Sequence, residues 1–372
     1  MKKILFYSDT EDFGGHEIMS VKIANYLSTL KKYEVEFLCR NKNISNQLNN
    51  RIKTYFNNYK DSTPFPFVKN LNLFKILKIK KNISLINPDI IIVCQGNIEL
   101  SLKGLIASKI LGKLTVSYIP YADNFKRNKS YFATLRDFIN KYYYSLPDYF
   151  LTPNEFQKKN ILFQSKNNNI SIIINPIESI CDNKIIFNKY KKISLGIIGR
   201  VLFNPKNHLI TLSIAKKLLS KNIDFEFHVI GIGKDLKKFR SIVIKNKLHD
   251  RFVFHGWLEG EDKDKIISKN VDIVLIPSRV ETGIPLVVYD ALKNNKKFLI
   301  TDFKEIKEYK LPDNFLIDIN DVESIVQKII SLNNLKSVDD YIDFKNNLYT
   351  KNSVKNFKLQ IEQAFRIISC GQ

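Results

Sequence analysis

The stretch that most constrains this chain is Val271 to Asp302, VDIVLIPSRVETGIPLVVYDALKNNKKFLITD. A largely apolar run, Val271 to Ile276, reads as a buried strand. Pro277, Ser278 and Arg279 turn the chain out of it, and Glu281 follows in a loop just past the strand's carboxyl end. Gly283, Ile284 and Pro285 lead into a helix that carries Asp290 and Ala291, and Phe298 to Thr301 is the next strand. This is one βαβ unit, with one acid before the helix and another within it. Such units build open parallel sheets, whose ligands bind outside the carboxyl ends of the strands. A loop that feeds a helix N-terminus there suits an anion such as a diphosphate.

The same grammar runs along the whole chain. Ile4 to Tyr7 is a short strand, followed by a loop holding Gly14-Gly15-His16-Glu17 and an amphipathic helix through Leu30. Paired glycines between a strand and a helix N-terminus make an anion-friendly turn, but this is not GxGxxG, so a dinucleotide fingerprint is not supported. Glu34 to Arg40 is the second strand; Asn41 to Asp61 is polar and carries no clear pattern, and Thr63 to Phe67 reads as loop. Val68 to Lys81 is a basic amphipathic helix before the strand Ile90 to Cys94. A helix over Leu100 to Leu111 leads to the strand Leu114 to Ile119, which ends in Pro120, Tyr121, Ala122, Asp123 and Asn124. Phe125 to Tyr144 mixes basic and aromatic side chains, which suits either a headgroup interface or a helix with an aromatic core face. Strands at Asp148 to Pro153 and Ile170 to Ile174 close the first half, and Glu178 to Tyr190 reads as a linker.

The second half opens with the strand Leu195 to Ile198, ending in Gly199-Arg200. Asn204 fits a helix cap and Pro205 a first helical position, which puts Lys206 in the first turn beside unpaired backbone N–H groups. With Arg200 at the strand end, the two cations form a clamp for a diphosphate. Phe225 to Ile230 is a strand that ends in Gly231-Ile-Gly233, and Phe252 to His255 is another. Helices over Glu261 to Lys269, Asp321 to Leu332 and Val354 to Ser369 complete the pattern.

A length of 372 residues is natural for two domains of about 180 each. The formal charge of +22 raises the question of nucleic acid, but 50 of the 59 cations are lysine, spread along most helices. Nucleic-acid readers lean on arginine and on clustered patches, so nucleic acid is not the expected partner. The four cysteines, Cys39, Cys94, Cys181 and Cys370, lie far apart and outside any metal spacing, and read as reduced thiols. The first apolar run is too short for a signal peptide, and no run approaches the eighteen or so residues of a spanning helix. The expectation is a cytoplasmic protein, with peripheral contact to the inner face of the membrane as an option.

Taken in order, Gly14-Gly15, Asn175-Pro176, Gly199-Arg200, Lys206 and Glu281…Asp290 resemble family 4 of the GT-B glycosyltransferases, the retaining group 1 enzymes. Glu281 matches the first acid of that family's E-x7-E pair and Asp290 the second, although the spacing here is E-x8-D. The resemblance implies an α/β GT-B fold: two Rossmann-like domains facing a cleft, with a C-terminal helix crossing back to the first. It divides the chain into an acceptor-binding domain (1–178), a nucleotide-sugar domain (190–350) and the crossover helix (351–372). It also implies retaining transfer from a UDP- or GDP-linked sugar to a glycan or lipid-linked acceptor, without a metal, in the synthesis of bacterial surface polysaccharide. Arg200 and Lys206 would hold the leaving diphosphate and Glu281 the donor-sugar hydroxyls. Gly14, Gly15, Gly283, Ile284, Pro285 and Asp290 would complete the donor site, with Asp290 on the ribose. The family's histidine near the end of the strand at 114–119 is missing, and Tyr121 or Asp123 stands in that space on the acceptor side. An anionic membrane surface is a further candidate partner. Two other readings stay open: a GT-B scaffold that binds a partner without catalysis, and, on charge alone, a nucleic-acid binder.

Overall fold

The computed structural model describes residues 1–11, 13–59, 72–124, 132–178, 192–334 and 339–370. The expected loop at 63–67, the first residues of the helix at Val68, residues 125–131 of the basic aromatic segment, Cys181 and the linker beyond Glu178 lie outside them. The chain divides into two units: Met1–Pro176 together with Val354–Gln372, and Ile177–Ser353.

Among the described residues, the first unit is built on seven strands: β1 (Lys2–Ser8), β2 (Tyr33–Cys39), β3 (Lys53–Phe56), β4 (Ile90–Cys94), β5 (Leu114–Tyr118), β6 (Tyr149–Thr152) and β7 (Ile170–Ile172). All pair in parallel, in the order β3-β2-β1-β4-β5-β6-β7. β4 shows the logic: IIIVC is buried at every position because helices cover both faces of a parallel sheet. β3 lies in the polar stretch that carried no clear pattern. It is a half-exposed edge strand beside β2, so it needs no apolar alternation. The C-terminal helix, Val354–Cys370, belongs to this unit. Phe357, Ile361, Ala364, Phe365 and Ile368 recur at helical spacing and enter the core that β1 and β2 line. Full burial of each larger side chain contributes roughly 1.5–3 kcal/mol. Gln360 Oε1 also accepts the Ile174 N–H at 3.0 Å, fixing the helix beside the end of β7.

The second unit has six strands: β8 (Ile193–Ile198), β9 (Phe225–Ile230), β10 (Phe252–Gly256), β11 (Ile273–Ile276), β12 (Lys297–Thr301) and β13 (Leu316–Ile317). They too are all parallel, ordered β10-β9-β8-β11-β12-β13. This is the doubly wound order, and its direction of winding reverses between β8 and β11. The loops leaving those two strands lie where such sheets bind their ligands, at the carboxyl ends of the strands beside the reversal.

Candidate functional site

Three sequence-selected residues converge at that reversal. Arg200 lies two residues past β8, after Gly199, Lys206 lies in the next turn, and Glu281 lies in the loop after β11. Lys206 Nζ donates to Glu281 Oε1 at 2.5 Å. Glu281 is buried, and the lysine keeps about a quarter of its side-chain surface exposed, at 26%. The pair is thus partly open to an incoming ligand.

The loop that carries Lys206 differs from expectation. Asn204 does not cap a helix and Pro205 is not its first residue; the helix begins at Ile210, and Asn204 to Lys206 form a turn joined by a cis Asn204–Pro205 bond. The physical reason is Asn207, which sits in the left-handed region at φ 56° and interrupts any helical path from Pro205. Tertiary bonds set the turn instead. The Phe203 N–H donates to Asp235 Oδ2 at 2.8 Å, and His208 Nδ1 lies 3.0 Å from the Leu202 carbonyl. Arg279, in the β11 loop, donates its backbone N–H to the Pro205 carbonyl at 2.8 Å and its Nη2 to Asn207 Oδ1 at 3.0 Å. Arg279 therefore ties the Glu281 loop to the Lys206 loop. This role could not be read from sequence, because the partners stand 72 positions apart. Burial holds the His208 imidazole far below its ordinary pKa, at about 4, so it is neutral beneath the site.

The turns after β8, β9 and β10 interlock. Gly199, Gly231 and Gly256 all have positive φ, and the Gly199 N–H donates to the Ile230 carbonyl and the Gly231 N–H to the Gly256 carbonyl. A Cβ on Gly231 would stand 1.9 Å from the Gly199 oxygen. The Gly231-Ile-Gly233 turn thus clears room for the Gly199-Arg200 turn beside it.

Beyond Glu281, Gly283 has a φ of 136° and Ile284 is buried. Pro285 immediately precedes a helix over Leu286–Lys293. Asp290 lies in that helix and accepts a hydrogen bond from Lys263 Nζ at 2.7 Å. Burial pushes its carboxyl above the usual range, against the pull of Lys263. The aspartate is therefore part of a packed ionic contact between neighbouring helices, rather than a bare carboxylate.

The remaining selected residues lie in the first unit. Gly14 caps a helix over Gly15–Leu27, and its N–H donates to Glu17 Oε2 at 2.9 Å. Thr10 Oγ1 donates to Glu17 Oε1 at 2.8 Å, and His16 Nε2 lies at the same distance from that oxygen. Burial alone would raise the Glu17 carboxyl, yet His16, Thr10 and the backbone prevail and hold it below its usual range. Glu17 is thus the organiser of the Gly14-Gly15 loop, a role the motif did not reveal. Tyr121 and Asp123 follow β5, in a segment pinned by Gln157, whose Oε1 accepts the Ala122 N–H at 2.9 Å. Among the described residues, no cluster of three or more His, Cys, Asp or Glu has the arrangement of a metal site.

Residues 192–334 match the family model described as Glycosyl transferases group 1. Comparison with curated protein sequences finds no match. Among solved structures, the chain is similar to Anabaena HepE in complex with UDP-glucose, with a TM-score of 0.75 and 14% identity over 98% of this chain and 100% of that one. It is similar to TarM from S. aureus, solved with UDP and alpha-GlcNAc-glycerol, with a TM-score of 0.71 and 13% identity over 98% and 100% of the two chains. It is also similar to sucrose-phosphate synthase from Thermosynechococcus elongatus, with a TM-score of 0.72 and 12% identity over 100% of both chains.

Proposed function

We propose, from the match of residues 192–334 to the group 1 glycosyl transferase model and the GT-B fold of the whole chain, that this enzyme moves a sugar from a nucleoside diphosphate, UDP first, to a glycan or lipid-linked acceptor. The observation that carries the proposal is the Lys206–Glu281 contact at the β8/β11 reversal, with Arg200 at the adjacent strand end. In this reading unit 2 binds the donor and unit 1 the acceptor.

The chemistry follows from charge. Breaking a glycosyl–diphosphate bond leaves an oxocarbenium-like sugar and builds negative charge on the phosphate. Arg200 and Lys206 meet that charge, so the reaction proceeds without a metal. The diphosphate takes over Lys206 from Glu281, and the released Glu281 turns to the hydroxyls of the donor sugar. The scheme has no enzyme nucleophile, and transfer retains the anomeric configuration. Asp290 and Gly283 to Pro285 border the nucleoside, and Gly14 and Gly15 are further candidate donor-binding residues by the same family resemblance.

Peripheral contact with an anionic membrane completes the proposal, with surface polysaccharide as the product class. Its support is the helix Ala133–Tyr143, which exposes Leu135, Phe138 and Tyr142 beside Lys141, with Phe132 just before it. A second helix, Leu73–Ile86, exposes Phe74, Leu77 and Leu85 beside Lys78 and Lys81. Apolar side chains flanked by lysine suit an anionic interface.

The direct test is release of UDP from UDP-glucose and related donors. Removing one donor of this kind costs about 100-fold in kcat, so Lys206→Ala should fall at least that far and Glu281→Gln comparably. Folded variants that keep wild-type turnover would sink the assignment. Intact biological activity in a Glu281→Ala strain would favour the non-catalytic scaffold instead.

A further inference from the structure

The first unit contains a hollow of about 570 Å³ that none of the assignments above uses. It lies past the carboxyl ends of β2 and β3, lined among others by Arg40, Lys42, Tyr59, Glu11 and the amides of Asn41 and Asn57. Its organisation is cationic around one aromatic ring. The Arg40 guanidinium stacks 4.4 Å from the centre of the Tyr59 ring, and the ammonium groups of Lys75 and Lys103 lie 5.2 Å and 5.5 Å from it. Beneath, Lys103 and Asp9 form a buried ion pair at 3.2 Å, and the Tyr59 hydroxyl donates to Asp9 Oδ2 at 3.1 Å. That pair is neutral as a unit, and among the described lining residues Arg40 and Lys42 stand beside Glu11.

Two details point to a ligand. The Arg40 side chain is only 7% exposed and donates to the carbonyls of Asp9 and Tyr59, and it also meets the exposed carboxylate of Glu11 at 2.5 Å. An exposed surface acid on a stacked guanidinium occupies a position that an external anion could take. Asn57, also buried, gives its Oδ1 to Asn82 while its Nδ2 has no acceptor. An amide donor left unsatisfied in a buried position is costly unless something supplies an oxygen.

We propose that this hollow binds a phosphate group carried by the acceptor: Arg40 and Lys42 take the phosphate, Tyr59 offers a face to the sugar, and Glu11 swings aside. Guanidinium groups pair with phosphate through two parallel bonds, which fits a pre-oriented, stacked arginine. The inference rests on the proposed glycosyl transfer and narrows its acceptor to a phosphorylated glycan, free or linked to a lipid.

The test uses the whole protein and two probes. Isothermal titration compares glucose 6-phosphate with glucose, and co-sedimentation compares phosphatidylcholine vesicles with and without undecaprenyl phosphate. The phosphate-bearing probe should bind at least about tenfold more tightly than its neutral counterpart, a difference one charge-assisted contact supplies. Lys42→Glu, a change at an exposed position, should remove that preference, and Glu11→Gln should strengthen it. Preference for glucose 6-phosphate identifies a soluble source, and preference for the doped vesicles alone a lipid source. Equal binding of charged and neutral probes in both arms, or a preference untouched by Lys42→Glu, overturns the proposal. UDP binding is measured on the same variants. Its retention in Lys42→Glu separates failure at this hollow from failure of the donor site.

Discussion

Acidification should loosen the second unit through His208, which burial holds neutral. The side chain is 2% exposed, and burial lowers its pKa from the ordinary 6.5 to about 4. The sign follows from proton counting. Between those values the unfolded chain binds a proton that the folded chain refuses, so stability is complete above 6.5 and is lost as the pH falls towards 4. Lowering the pH from about 7.5 to about 5 should therefore remove about 2 kcal/mol, from the difference in proton binding at 1.36 kcal/mol per unit. The assay is urea unfolding at both pH values, followed by the fluorescence of Trp257, the single tryptophan, which lies in unit 2. His208→Gln keeps a donor for the Leu202 carbonyl but cannot take up the proton, so it should flatten the dependence by that amount. Equal pH slopes in the variant and the wild type would refute the reasoning, because the proton would then belong elsewhere.

Other outcomes follow from the same geometry. Gly231→Ala adds a Cβ that would stand 1.9 Å from the Gly199 oxygen at a φ of 143°; unfolding by urea should show a loss of at least about 2 kcal/mol. Arg279→Ala removes the Asn207 contact but leaves the backbone bond to Pro205, so KM for the donor should rise with Trp257-reported stability changed by less than about 1 kcal/mol. Phe138→Ser with Tyr142→Ser should reduce co-sedimentation with anionic vesicles and leave UDP release unchanged; undiminished co-sedimentation would remove that face as a membrane contact.

Legibility in the sequence varied with how locally each feature is determined. β4 and β11 are written as short apolar runs because parallel strands are covered on both faces, and both were readable. β3 was not, because an edge strand such as Lys53–Phe56 answers to its neighbour's hydrogen bonds more than to a core. The end of β8 shows the same divide at the site. Gly199-Arg200 was recognisable, while Asn204-Pro205 carries the signal of a helix start and forms a turn instead. What decided it was the left-handed Asn207 together with Asp235 and Arg279, two contacts distant in sequence. Glu17 was read only as part of a glycine motif, since its bonds to Thr10 and Gly14 require the loop to be folded first. Arg200, Lys206 and Glu281 could be named one by one from the strand ends they follow. The 2.5 Å contact between two of them is a property of the sheet order alone.

The measurement that bears most directly on the donor site is thermal unfolding with UDP, GDP or ADP, repeated on an Arg200→Ala, Lys206→Ala double variant. A ligand present at about 100 times its dissociation constant stabilises the folded state by about 2.7 kcal/mol. The account predicts a clear upward shift with UDP in the wild type and none in the double variant. No shift with any of the three nucleotides, or a UDP shift that survives loss of both cations, would contradict it.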